Sequence, residues 1–169
     1  AMILFLKKKN SITNYYIRIM KIAVVILNWN GKKLLEQFLP SVVAFSKEAT
    51  IYIADNASTD NSIEFIQQHY PEISIVKNKE NGGYAKGYND ALKHIKADVF
   101  CLLNSDIEVT KNWLQPIIKE FKRDNNIAAI QPKILDYKQK DTFEYAGAAG
   151  GFIDKYAYPY CRGRRFTTI

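Results

Sequence analysis

The feature that most restricts this chain is an alternation, five short apolar runs separated by stretches of helical period. Ile22-Ala-Val-Val-Ile-Leu27, Ile51-Tyr-Ile-Ala54, Ile73-Ser-Ile-Val76, Val99-Phe-Cys-Leu-Leu103 and Ile127-Ala-Ala-Ile130 are the runs. Short β-branched runs with little or no polar face suit strands covered on both sides. Between them, apolar residues recur at i, i+3/i+4: Leu34, Leu35, Phe38, Leu39, Val42 and Val43; then Ile63, Phe65, Ile66 and Tyr70; then Tyr84, Tyr88, Ala91, Leu92 and Ile95; then Trp113, Leu114, Ile117, Ile118 and Phe121. Pro40 predicts a short or kinked first helix, Ser58 or Thr59 a cap for the second, Pro71 its end, and Thr110 a cap for the fourth. Repeated β-α units imply a doubly wound α/β domain, a mostly parallel sheet with helices on both faces.

The pattern starts at Met20. Residues 1–19 carry no clean period, so they are set aside as an N-terminal extension, disordered or not native to the fold. Residues 20–133 form the core, and 134–169, rich in glycine and aromatics and then basic, read as an incomplete region beyond it.

Lys plus Arg number 24 against 17 Asp plus Glu, a formal charge of +7 and a pI near 9.3. That balance suits an anionic partner. The basic clusters at Lys7-Lys8-Lys9 and at Arg162, Arg164 and Arg165 lack the spacing of a nucleic-acid motif, so no nucleic acid is expected. Cys101 and Cys161 make neither a CxxC nor a Cys/His cluster, which argues against zinc or a disulfide framework and for a cytoplasmic setting. No apolar stretch approaches the roughly 20 residues that span a bilayer, so any membrane contact would be peripheral, at the inner face.

Ligands of such sheets bind at the carboxyl ends of the strands. Those ends read Asn28-Trp29-Asn30-Gly31, Asp55-Asn56-Ala57-Ser58-Thr59-Asp60, Asn81-Gly82-Gly83-Tyr84-Ala85-Lys86-Gly87 and Asn104-Ser105-Asp106. One turn needs one such residue; four polar clusters on one edge suit a nucleoside diphosphate. Asp55 can accept from a base N–H or a ribose hydroxyl. Gly82-Gly83 brings a helix N-terminus close to a ligand, Lys86 follows one turn later, and Asp106 can hold Mg²⁺ or Mn²⁺ against a diphosphate. Trp29 is the one aromatic here with an equal claim to a site role.

The motifs VVILNWNG (Val24 to Gly31), DNASTDNS (Asp55 to Ser62), NKENGGYAKGYNDAL (Asn78 to Leu92) and LLNSD (Leu102 to Asp106), in this order, resemble the family 2 inverting glycosyltransferases of the GT-A, Rossmann-like fold, rhamnosyltransferase-like members included. The resemblance implies that Leu27 and Asn28 line a nucleobase pocket and that Asp55 bonds the base. It implies that Asn81, Gly82, Gly83 and Lys86 flank base, ribose or phosphate. Asn104 and Ser105 stand in a DxD-like motif whose metal ligand is Asp106; Asn104 replaces the first carboxylate. A nucleoside-diphosphate sugar is the implied donor, and a cell-surface glycan or lipid-linked molecule the acceptor.

Inversion needs a general base, which this family carries in an acidic ED-type motif. After Asp124 the acidic residues are Asp136, Asp141, Glu144 and Asp154, none in an ED pair. The expectation is a GT-A domain truncated on its C-terminal side, holding the donor site without the base. A nicotinamide enzyme would show GxGxxG after the first strand, and a nucleotidyltransferase a glycine- and basic-rich loop there; Asn-Trp-Asn-Gly is neither. A non-catalytic nucleotide-binding module is the remaining rival.

Overall fold

The computed structural model describes residues 2–8, 20–144, 151–153, 155–156 and 158–161. Its strands are β1 (Ile3–Lys7), β2 (Ile22–Asn28), β3 (Thr50–Asp55), β4 (Ser74–Lys77), β5 (Val99–Asn104), β6 (Ala129–Ile130), β7 (Gly151–Ile153) and β8 (Pro159–Cys161). The helices are α1 (Lys32–Phe45), α2 (Ser62–His69), α3 (Gly83–Leu92) and α4 (Leu114–Arg123). One six-stranded sheet runs β4-β3-β2-β5-β1-β6, and β7 pairs with β8 separately. The four strands from β4 to β5 are mutually parallel, as the β-α repetition requires.

Period two on β2 divides the core between two faces. Val24 and Ile26 join Leu35, Leu39 and Val42 of α1, Ile66 of α2, and Leu114, Ile117 and Phe121 of α4. Ala23 and Val25 point the other way, onto Tyr88 and Ala91 of α3 and Ile95 beyond it. Gly87 permits that second contact: a Cβ there would stand 3.0 Å from both Leu27 Cδ1 and Asn56 Oδ1.

Four local expectations change. The first helix runs unbroken past Pro40 for 14 residues, since Pro40 and Glu36 are exposed and water can take the carbonyl that proline leaves unpaired. Ser58 and Thr59 do not cap α2; its N-cap is Asn61, because both hydroxyl residues bond across to Asn30 instead. Thr110 likewise precedes a turn, and α4 is capped at Trp113. The last run, Ile127–Ile130, yields only the two-residue β6, paired to β1.

The larger correction concerns the extension. Residues 3–7, set aside as lying outside the fold, form β1, antiparallel to β5 from Ile3↔Leu103 to Lys7↔Val99. Phe5 is 0% exposed, its ring 5.8 Å from that of Trp113, and Lys7 Nζ donates to Phe121 O. The alternation Ile3, Phe5, Lys7 is a strand's, but five residues beside a lysine run give too little pattern to mark it. Residues 9–19 lie outside the described residues.

Among the described residues, no helix is long and apolar enough to cross a membrane. Trp113 packs on Phe5 and donates Nε1–H to Ser46 Oγ, and Cys101 is buried in the sheet, where burial pushes its thiol up. Both are core residues, as their positions in apolar periodicity imply. Near the end of the chain Tyr156 and Tyr158 are exposed and Tyr160 sits in β8; Arg162 lies outside the described residues.

Candidate nucleotide-binding site

The carboxyl ends of β2, β3, β4 and β5 come to one edge, and main-chain bonds fasten them in sequence. Asn56 N donates to Asn28 O at 2.8 Å, and Asn78 N to Asp55 O at 2.8 Å. Asn28 is fully buried. Its Nδ2 donates toward Asp55 Oδ1 (3.3 Å), Ser58 Oγ (3.0 Å) and Ser62 Oγ (2.9 Å). Asp55, 4% exposed, also accepts from Ser58 N at 3.3 Å. The side chain of Asn28 thus stands behind Asp55 and orients it, rather than forming the surface of a pocket.

Neighbouring loops lock this arrangement. Asn30, at φ 51, accepts on Oδ1 from the amides of Thr59 and Asp60. Asp60 in turn accepts from Lys32 N, Ser62 N and Ser62 Oγ. Burial alone would raise the Asp60 carboxyl; the bonds from Ser62 and the Lys32 amide outweigh it and hold the group below its ordinary range. Ala57 is held at φ 61, where an L side chain costs on the order of 1–2 kcal/mol. Two left-handed non-glycine residues in adjacent site loops mean that the surrounding bonds dictate the backbone there.

On the α3 side, Asn56 Nδ2 donates to Asn81 Oδ1 (2.7 Å) and Gly83 O (3.2 Å), and Asn78 Nδ2 to Asn56 Oδ1 (3.1 Å) and Gly87 O (2.9 Å). Asn81 Oδ1 also accepts from Gly83 N. Gly83 has φ +74 and open space where a Cβ would be, so the helix start lies uncovered. Lys86 is turned to carboxylates of its own neighbourhood, Asp90 at 2.8 Å and Glu80 at 3.1 Å. The Lys86 ammonium, then that of Lys93, draws the Asp90 carboxyl down to about 2.

At the end of β5 the character changes. Asn104 and Ser105 are half-buried and Asp106 is exposed. Tyr84, one residue into α3, reaches Asn104 Oδ1 with its hydroxyl at 3.1 Å. Burial, with a contribution from the charge of Asp106, raises the Tyr84 hydroxyl above its usual range against the opposing bond with Tyr88. Gly31 sits between the two halves: a Cβ on it would stand 2.5 Å from Asn28 Oδ1 and 3.9 Å from Ser105 Oγ. Asn28 Oδ1 is itself buried with no hydrogen-bond partner among the described residues. Trp29 is 57% exposed beside this gap.

Among the described residues, no three His, Cys, Asp or Glu side chains gather as a metal site. One exposed carboxylate with Asn104 and Ser105 oxygens nearby does not make a zinc cage. It fits a hard cation that takes most of its oxygens from a diphosphate and water.

The structure therefore joins Asn28 to Asp55 and reaches Asn81 and Gly83, on either side of Gly82, through Asn56. It leaves Lys86 paired aside and puts Asn104, Ser105 and Asp106 on a neighbouring strand end. Asn56, Asn78, Ser62 and Tyr84 also take part in this network, although their motifs alone assign them no role. The recurrence of asparagine after each strand was the available signal, since an amide can donate and accept at once.

The family model "Glycosyl transferase family 2" matches residues 23–166. The uncharacterized glycosyltransferase YfnE of Bacillus subtilis (strain 168) is 28% identical over 112 residues, covering 64% of this chain and 29% of its own length. Among solved structures, S. aureus TarS 1-349 in complex with UDP-GlcNAc superposes with a TM-score of 0.56 at 21% identity, over 63% of this chain and 32% of that one. The mannosyltransferase PcManGT from Pyrobaculum calidifontis, in complex with GDP-Man and Mn²⁺, gives 0.55 at 18% identity, over 64% and 34%. This chain thus spans about a third or less of the length of each. It belongs to glycosyl transferase family 2, and its fold is that of the N-terminal portion of a GT-A domain.

Proposed function

We propose that this family 2 chain binds a nucleoside-diphosphate sugar across the ends of β2, β3 and β5, with a divalent cation on Asp106. The observation that carries the reading is the contrast along one edge, a buried and pre-oriented acceptor, Asp55, beside an exposed carboxylate, Asp106. A base or ribose needs a fixed acceptor; a diphosphate needs a cation free to keep water and phosphate oxygens. Asn28 supports Asp55 from behind, and Leu27, on the opposite face of β2, packs toward Gly87 of α3. Asn81, Gly82 and Gly83 border the ribose and phosphates at the uncovered start of α3. Lys86 joins them only by leaving Glu80 and Asp90. When bound, the cation neutralises charge on the leaving nucleotide. TarS with UDP-GlcNAc and PcManGT with GDP-Man and Mn²⁺ support this donor class and metal.

Within a complete enzyme the same site would serve transfer with inversion to a cell-surface glycan or lipid-linked acceptor, at the inner face of the membrane. Asp136, an acidic residue of the later segment, spends its carboxylate on the amides of Lys138 and Gln139, closing a turn. On its own the chain is expected to bind donor and to transfer sugar slowly or not at all. Calorimetric titration with UDP, GDP, dTDP and NAD, with and without Mn²⁺, tests the reading. Metal-dependent binding of a nucleoside diphosphate, abolished by Asp106→Ala, is expected. Binding of NAD alone, or rapid sugar transfer by the 169-residue chain, overturns it.

A further inference from the structure

The strand β1 precedes the family-matched segment, which begins at residue 23, yet it borders the half of the site that carries Asp106. Met2, at its head, accepts the Asn104 amide on its carbonyl oxygen at 3.1 Å. The Tyr84 hydroxyl lies 3.1 Å from Met2 Sδ and 3.1 Å from Asn104 Oδ1. Main chain and side chain of Asn104 are thus both held where Met2 and Tyr84 meet, two residues before Asp106.

We propose that the N-terminal strand is a positioning element of the donor site: Met2, with Tyr84, fixes the end of β5 from which the cation ligand projects. This rests on the donor reading above. The register comes from the strand's own packing. Lys8 N donates to Asp98 O and Asp98 N to Lys21 O, so the chain on either side of residues 9–19 ends about two strand spacings apart, roughly 10 Å. Eleven residues reach roughly 36 Å when extended, so the connection does not dictate alignment. Phe5 does, because a slip by one residue would turn it out of the core. The same register that buries Phe5 under Trp113 brings Met2 to Asn104.

Two variants test the proposal. A chain released from a cleavable fusion with Ile3 as its first residue keeps every β1–β5 pair but loses the Met2 carbonyl and sulfur. Tyr84→Phe removes the hydroxyl alone. Each is expected to retain the melting temperature within a few degrees and the metal-free affinity for UDP or GDP, and to weaken the Mn²⁺-dependent affinity about three- to tenfold. Combined, they lose no more than the larger single effect, because both act through Asn104. Amide exchange at Asn104 quickens in the Ile3 chain while that at Leu102 stays slow. Equal Mn²⁺-dependent affinity in the full and shortened chains, or loss of metal-free and metal-dependent binding alike, overturns the proposal. Failure of the full chain to bind either nucleotide overturns the donor reading instead, and unchanged exchange at Asn104 rejects the Met2 contact by itself.

Discussion

The two halves of the site are built in opposite ways. At the ends of β2 and β3, Asn28, Asp55 and Ser62 are buried and bonded to one another, with Asn30, Ser58 and Asp60 clamping the loops above. At the end of β5, Asp106 is exposed, and Asn104 is held by Tyr84 and Met2. The first half is paid for during folding and needs no ligand to take shape. The second keeps a carboxylate in water, where a cation can be gained and lost. Substitutions in the first half should therefore report on stability, and those in the second on ligand binding.

The sharpest way to break that contrast is Asn28→Ala. It removes the donor shared by Asp55, Ser58 and Ser62, and an unsatisfied buried polar group costs about 1–3 kcal/mol. For a domain of this size each kcal/mol lowers the melting temperature by roughly 2–4 °C, a change that thermal unfolding followed by circular dichroism would read. An unchanged midpoint would mean that the network is ornamental. Gly31→Ala comes next. Its Cβ must displace Asn28 Oδ1, 2.5 Å away, and overpacking of this kind costs about 1–3 kcal/mol. Asp106→Ala, expected to abolish metal-dependent nucleotide binding, should leave stability within about 0.5 kcal/mol of the parent, as an exposed substitution does.

The smallest effect is that of pH on α3. Asp90 is depressed to about 2 by Lys86 and then Lys93. A depressed carboxyl adds stability that is fully present above its unfolded value, about 3.9, and is lost as pH falls toward its folded one. Acid titration between pH 4 and 2 should therefore loosen the Lys86–Asp90 pair. Because the pair is exposed, the Asp90→Asn chain should be only slightly less stable than the parent above pH 4, and that small difference should vanish as the pH falls to 2. At neutral pH Asp90→Asn also frees Lys86 from one of its two carboxylates, so a gain in nucleotide affinity would place Lys86 at the phosphates.

The α/β layering was legible before any coordinates, because a period of two or of 3.6 is a local property. So was the gathering of the polar strand ends at one edge, since parallel strands joined by crossovers place all their carboxyl ends together. The positions of Asp55 and Asp106 on that edge were legible for the same reason. The place of Asn28 was not: that it stands behind Asp55 depends on Ser58 and Ser62, brought to it from residues some 30 positions away.

The residue pattern alone determined the parallel sheet from β4 to β5, its two covered faces and the gathering of polar strand ends at one edge. Tertiary structure alone decided that Ile3–Lys7 belongs to the sheet, that Ser58 and Thr59 bond across a loop rather than cap a helix, and that Tyr84 meets Asn104. The physical reason is separation along the chain. Periodicity reports which face of an element is apolar, whereas the pairing of Phe5 with Cys101 joins residues almost a hundred positions apart, and no local preference encodes such a partner.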